Sequence, residues 1–260
     1  MAILADLGKA VVAALEGVPP APLDQKEDDA AKSTFIILVG HELRTPLTIL
    51  FGSLQLLEAT AENGTNKTLM SSVRKSAKHL IGLVETIIAY SDATTGELRL
   101  NEKIYNLEDL LADTADVSLP GADGVLKTVR VASASHATPI YIDPDQVKMA
   151  LNALVLNAIN HGGNKITVGS RLDASGNIEL SITDDGRLDE NVELAGLYEP
   201  FVVGGDINNR DTRGGLGLGL PLTRKLVELH GGEFEVIAAE DHTSAIIRLP
   251  SWRAKAAQAG

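Results

Sequence analysis

Two long apolar stripes at helical spacing constrain this chain more than any other feature. Phe35, Leu38 and Val39 begin the first, and Leu43, Leu47, Leu50, Leu54 and Leu57 continue it at intervals of three and four. Glu62-Asn63-Gly64 reads as a turn, and Leu69, Val73, Leu80, Leu83, Val84, Ile87 and Ile88 form the second stripe. The spacing predicts a helix over residues 30–61, bent at Pro46 because proline removes a backbone donor and crowds the preceding turn. A second helix is predicted over 66–91. One hairpin of two such helices leaves apolar faces uncovered, so the pair is expected to dimerise into a four-helix bundle.

Beyond Thr94-Thr95-Gly96 the pattern shortens, and the 260 residues therefore divide into two domains. Period-two alternation marks strands at 128–132, 139–142, 165–172, 178–183, 233–238 and 244–249; helices are expected at 107–117, 144–161 and 218–230. Strands mixed with a few helices suggest an α+β sandwich. The expected organisation is an amphipathic helix and acidic Pro-rich linker over 1–29, an all-α hairpin over 30–95, the sandwich over 104–252 and a tail over 253–260.

Several functions are disfavoured by composition. A net charge of -12 argues against nucleic acid, which is bound through clustered Lys and Arg. Zero cysteines exclude disulfides, thiolate catalysis and cysteine-ligated metal, in keeping with a reducing compartment. No apolar run approaches the roughly 20 residues that span a bilayer. The first 18 residues carry Asp6, Lys9 and Glu16 and do not resemble a signal peptide, so a cytoplasmic location is expected. That segment reads as a docking helix or the end of an upstream module; a membrane-surface anchor lacks the basic face it needs. About 30 residues before the helices cannot supply a further domain of ordinary size, so any input module is expected in a partner or in a longer chain of which this is a part.

Chemistry concentrates at His41-Glu42-Leu43-Arg44-Thr45-Pro46-Leu47, where an imidazole adjoins a carboxylate and lies one helical turn from a hydroxyl. A His-Glu-x-x-His zinc motif is excluded, because Thr45 occupies the fifth position. The run resembles the phosphoacceptor box of bacterial two-component sensor histidine kinases. Four downstream stretches resemble, in the right order, the boxes of the GHKL (Bergerat) ATP-binding fold that these kinases share with type II topoisomerases, Hsp90-like chaperones and mismatch-repair ATPases. They are Asn157-Ala158, Thr183-Asp184-Asp185-Gly186, Glu199-Pro200-Phe201 and Gly214-Gly215-Leu216-Gly217-Leu218-Gly219-Leu220.

The resemblance implies a homodimeric protein-histidine kinase using ATP and Mg. His41 would be the phosphoacceptor, Glu42 the base on its other ring nitrogen, and a response-regulator receiver aspartate the destination of the phosphoryl group. Thr45 reads either as the residue that positions water for dephosphorylating that partner or as a surface threonine. Asn157 is the implied magnesium ligand, and Asn160 and His161 end the same helix. Asp184 with Gly186 would receive the adenine amino group, Phe201 precedes a lid over 203–213, and Gly215, Gly217, Leu218 and Gly219 would cradle phosphates at a helix start. Phe201 also reads as a packed loop anchor.

Departures from the family pattern carry information. Ala153 stands where a second Asn is usual, Asn160 where a basic residue is usual, Leu188 where the box has a second glycine, and Gly40 where a small hydroxyl residue precedes the histidine. Ala153 argues against autonomous ATP hydrolysis of the topoisomerase or chaperone kind, because a methyl group cannot act as general base. Three of these departures surround the nucleotide. The alternative they leave open is a degenerate kinase acting as a response-regulator phosphatase, phosphotransfer module or scaffold.

Overall fold

A computed structural model describes residues 39, 43, 46–54, 56, 66–114, 118–120, 125–132, 139–187, 194–201 and 216–254. Val39, Leu43, 46–54 and 56 are helical, as is α1 (Asn66–Thr95). α1 runs four residues past its expected end because its stop is Gly96. The glycine takes φ +74°, and the Glu97 and Leu98 amides then turn back onto the Asp92 carbonyl. The expected N-terminal helix, linker and lid lie outside the described residues.

The second domain follows as β1 (Lys103–Asn106), α2 (Leu107–Ala112), β2 (Ser118–Pro120), β3 (Leu126–Val131), β4 (Pro139–Ile142) and α3 (Pro144–His161). After these come β5 (Lys165–Leu172), β6 (Ile178–Asp184), a 3-10 turn at Leu194–Tyr198, α4 (Gly219–Leu229), β7 (Glu233–Ala238) and β8 (Thr243–Leu249). Six strands form one sheet in the order β2-β3-β5-β6-β8-β7, with β3–β5 parallel and the other pairs antiparallel; β1 and β4 form a separate ribbon.

One correction concerns the helix expected over 107–117. It ends at Ala112, where the Asp113 amide closes onto the Asp109 and Leu111 carbonyls and the Thr114 hydroxyl donates to the Leu110 carbonyl. Chain that follows pairs as β2, antiparallel to β3, a strand too short for periodicity to mark.

The core lies between the sheet and α2, α3 and α4. Leu110, Leu111, Leu151, Leu154, Ile166, Ile178, Leu180 and Ile182 are fully buried there. Each such side chain contributes about 1.5–3 kcal/mol of burial. Alternation on β6 puts Ile178, Leu180, Ile182 and Asp184 in phase, so the strand that supplies core residues also delivers one carboxylate at its end. α3 is started by Asp143, whose Oδ1 accepts from the Asp145 and Gln146 amides, with Pro144 in the first turn.

Candidate functional site

The end of α3 and the end of β6 are fitted to each other at van der Waals limits. Asp184, 7% exposed, accepts at Oδ1 from the Gly163 amide (2.9 Å) and the Gly186 amide (2.8 Å). A Cβ on Gly162 would lie 2.5 Å from the Asp184 carboxyl carbon, and one on Gly163 would lie 2.1 Å from Asp185 Oδ1. The two glycines are therefore needed for approach, with neither at a positive φ. Next door, Asp185 Oδ1 accepts from the Lys165 amide, and the Asp185 amide donates to the Lys165 carbonyl. The turn after β6 is thus pinned to the start of β5.

On α3, Ala153, Asn157 and Asn160 fall at intervals of four and three and share a face. Asn157 and His161 are exposed and Asn160 is half-buried. Ala153 backs onto the first residue of α4: a Cβ on Gly219 would sit 3.8 Å from that of Ala153. Small residues at this crossing let the glycine-rich stretch lie against α3. Its conformation is demanding, because Gly217 takes φ +66° and Phe201 takes φ +66° without being glycine. The two are joined, the Phe201 amide donating to the Gly217 carbonyl at 3.2 Å. α4 starts at Leu218 with no side-chain cap, which leaves amides of its first turn open.

The glycine-rich stretch also has an apolar side. Leu216 and Leu218 are buried together with Val39 and Ile87, and Leu43, Leu83, Tyr90 and Phe201 pack around them. Tyr90 and Phe201 meet edge to face, their centroids 6.2 Å apart at 74°. Burial, with the Glu199 carboxylate adding to it, holds the Tyr90 phenol above its ordinary pKa.

Val39 and Leu43 bracket position 41 in sequence, and both sit in this cluster. His41, Glu42 and Thr45 themselves, with Gly40, Leu188, Gly214, Gly215 and the 203–213 lid, lie outside the described residues. Asn157 and Asn160 lie on α3, Asp184 and Gly186 meet the C-terminal end of that helix, and Gly217, Leu218 and Gly219, with Phe201 bonded to Gly217, lie at the start of α4 against Ala153. Among the described residues no three His, Asp or Glu side chains gather to hold a metal. The exposed Asn157 amide is a hard-oxygen donor of the kind magnesium accepts when substrate phosphates and waters complete its shell, so the residues fit a nucleotide-borne ion.

Sequence reasoning passed over Lys127, Gly162 and Gly163. Lys127 is 3% exposed, and its ammonium donates to the Gly162 carbonyl at 2.8 Å. Arg253, placed at the head of the tail, is 3% exposed and donates to the carbonyls of His230 and Tyr141 and to Glu102.

Residues 31–96 match the family described as His Kinase A (phospho-acceptor) domain, and residues 142–253 match Histidine kinase-, DNA gyrase B-, and HSP90-like ATPase. The chain belongs to the histidine kinases. Sensor histidine kinase GacS of Pseudomonas protegens is 31% identical over 218 residues, covering 81% of this chain and 23% of GacS. Sensor protein DivL of Caulobacter vibrioides is 32% identical over 211 residues, covering 79% of this chain and 26% of DivL. This kinase core thus spans about a quarter of the length of these curated relatives. The structure of Acinetobacter baumannii histidine kinase AdeS shares its fold at 22% identity and TM-score 0.55, over 81% of this chain and 98% of that one.

Proposed function

We propose that the chain is the catalytic core of an ATP-dependent protein-histidine kinase that phosphorylates its own His41 and passes the phosphoryl group to an aspartate of a receiver domain. The observation that carries the reading is the Asp184 carboxylate, fixed by two backbone amides at the C-terminal end of α3, the helix whose Ala153 also backs the glycine-rich start of α4. A carboxylate fixed in this way suits an exocyclic amine donor such as that of adenine. Asn157 would ligate magnesium, which when bound neutralises phosphate charge. Amides near Gly215, Gly217 and Gly219 would hold the phosphates.

A neutral His41 ring nitrogen attacks the γ-phosphorus, the bond to the β-phosphate oxygen breaks, and ADP leaves. Glu42 takes the proton from the other ring nitrogen. Thr45 would position water in the reverse, receiver-dephosphorylating reaction. We place the protein in the cytoplasm as a homodimer through its helical pair; no described helix is long and apolar enough to cross a membrane.

The second reading, a receiver-binding phosphatase or scaffold with a weak nucleotide site, is favoured by Ala153. Its methyl group faces the glycine-rich stretch where a second amide ligand would otherwise stand. Incubation with Mg and γ-labelled ATP separates the two. Acid-labile label is expected on the wild type and on neither His41→Ala nor Asp184→Asn. An unlabelled wild type that also fails to bind nucleotide by calorimetry would leave the second reading.

A further inference from the structure

We propose that Lys127 is a positioning residue for the base end of the nucleotide site, acting on Asp184 through the Gly162–Gly163 peptide. The proposal rests on reading Asp184 as the adenine-recognising carboxylate. Along β3, Lys127 and Val129 are buried while Leu126 and Arg130 are exposed, so the lysine points with the valine into the helix-covered side. An ammonium in such a place is costly unless it has work that an apolar side chain could not do. Its hydrogen-bond partner among the described residues is the Gly162 carbonyl, at 2.8 Å. No carboxylate among those residues pairs with it.

Gly162 closes the C-terminus of α3, its amide donating to the Ala158 carbonyl. A cation there meets the negative end of the helix dipole. More specifically, the carbonyl that takes the lysine proton belongs to the peptide whose amide, on Gly163, donates to Asp184 Oδ1. One peptide group is held between a cation at its oxygen and an anion at its nitrogen. Hydrogen bonds in series polarise one another, so the lysine strengthens the amide's grip on Asp184. With Gly186 supplying the second amide, Oδ1 is fully engaged and Oδ2 is left without a partner among the described residues. That is the oxygen available to a base amine. Lys127 therefore orients the carboxylate without touching the nucleotide.

The test uses ITP, which has a carbonyl in place of the adenine amine, as the comparison probe in calorimetric competition with ATP on the full chain. Lys127→Met keeps the apolar stem and removes the charge. It should weaken ATP by about tenfold, the effect of one charge-assisted hydrogen bond, and ITP by less than about twofold. Lys127→Arg should stay within about threefold of wild type for both. In the amide spectrum the Gly163 proton should move upfield in Lys127→Met and hold its place in Lys127→Arg. Equal weakening of ATP and ITP, which a merely structural lysine predicts, would overturn the proposal, and so would an unmoved Gly163 resonance. If Asp184→Asn leaves the ATP-over-ITP preference intact, the reading of Asp184 falls first. A collapsed spectrum for Lys127→Met moves the same comparison to Lys127→Gln.

Discussion

At the scale of single residues, His230 is bound in one protonation state. Its Nδ1 lies 2.7 Å from the Leu226 carbonyl and must donate to it, while Nε2 accepts from the Asp143 amide at 3.2 Å, which only a neutral ring can do. Burial holds its pKa below the ordinary histidine value, with the nearby Arg253 adding to this and Glu102 and Asp143 opposing it. The unfolded chain therefore binds the proton more readily than the folded one. The stability this contributes is fully present above about pH 6.5 and is lost as pH falls through the lower folded value. Melting temperature should accordingly fall more steeply between pH 7 and pH 5 in the wild type than in His230→Gln; parallel curves would show that the imidazole is not the group responsible. Asp184 was legible in the sequence because Asp-x-Gly at a strand end is a local pattern. Lys127 is less visible, since a lysine in an alternating strand reads as solvent-facing. Its phase with Val129 and Val131 was the available signal.

At the scale of elements, long periodic segments were legible, as was β4 among the short ones, but β1 and β2 were not. α3 and β5 have the expected bounds, because eighteen and eight residues give periodicity room to show. β1 and β2, four and three residues long, owe their existence to the strands they pair with, β4 and β3. One member of the second apolar stripe, Ile88, belongs to a different face, which it shares with Met70 and Ile81 at intervals of eleven and seven. Ile87 is buried against the glycine-rich stretch, whereas Met70, Ile81 and Ile88 are about half exposed. In the proposed homodimer, that face is the one left for a second copy. The proposal predicts a dimeric wild type by light scattering, monomeric Ile81→Glu and dimeric Ile87→Val; a monomeric wild type would refute the bundle.

At the scale of the molecule, the helical pair and the sandwich share a second apolar cluster, and the sequence held no hint of it because its members come from four separate stretches. Edge-to-face rings are worth about 0.5–1.5 kcal/mol, so the Tyr90–Phe201 contact is a modest but specific part of that cluster. Tyr90→Ala should speed amide hydrogen exchange at Leu216 to Gly219 several-fold while leaving β6 unchanged, and Tyr90→Phe should not; equal exchange in all three would remove the contact from any role in holding the loop. Arg253 joins the two ends of the sandwich by bridging Glu102, just after the helices, to the carbonyls of Tyr141 and His230. The shared cluster limits modularity. A piece cut out at residue 103 would keep every strand and every box of the nucleotide site yet lose the wall behind Leu216, Leu218 and Phe201. Its loop would be lined on one side by water, and affinities measured on such an excised domain would describe a different loop from the one the intact chain presents to ATP.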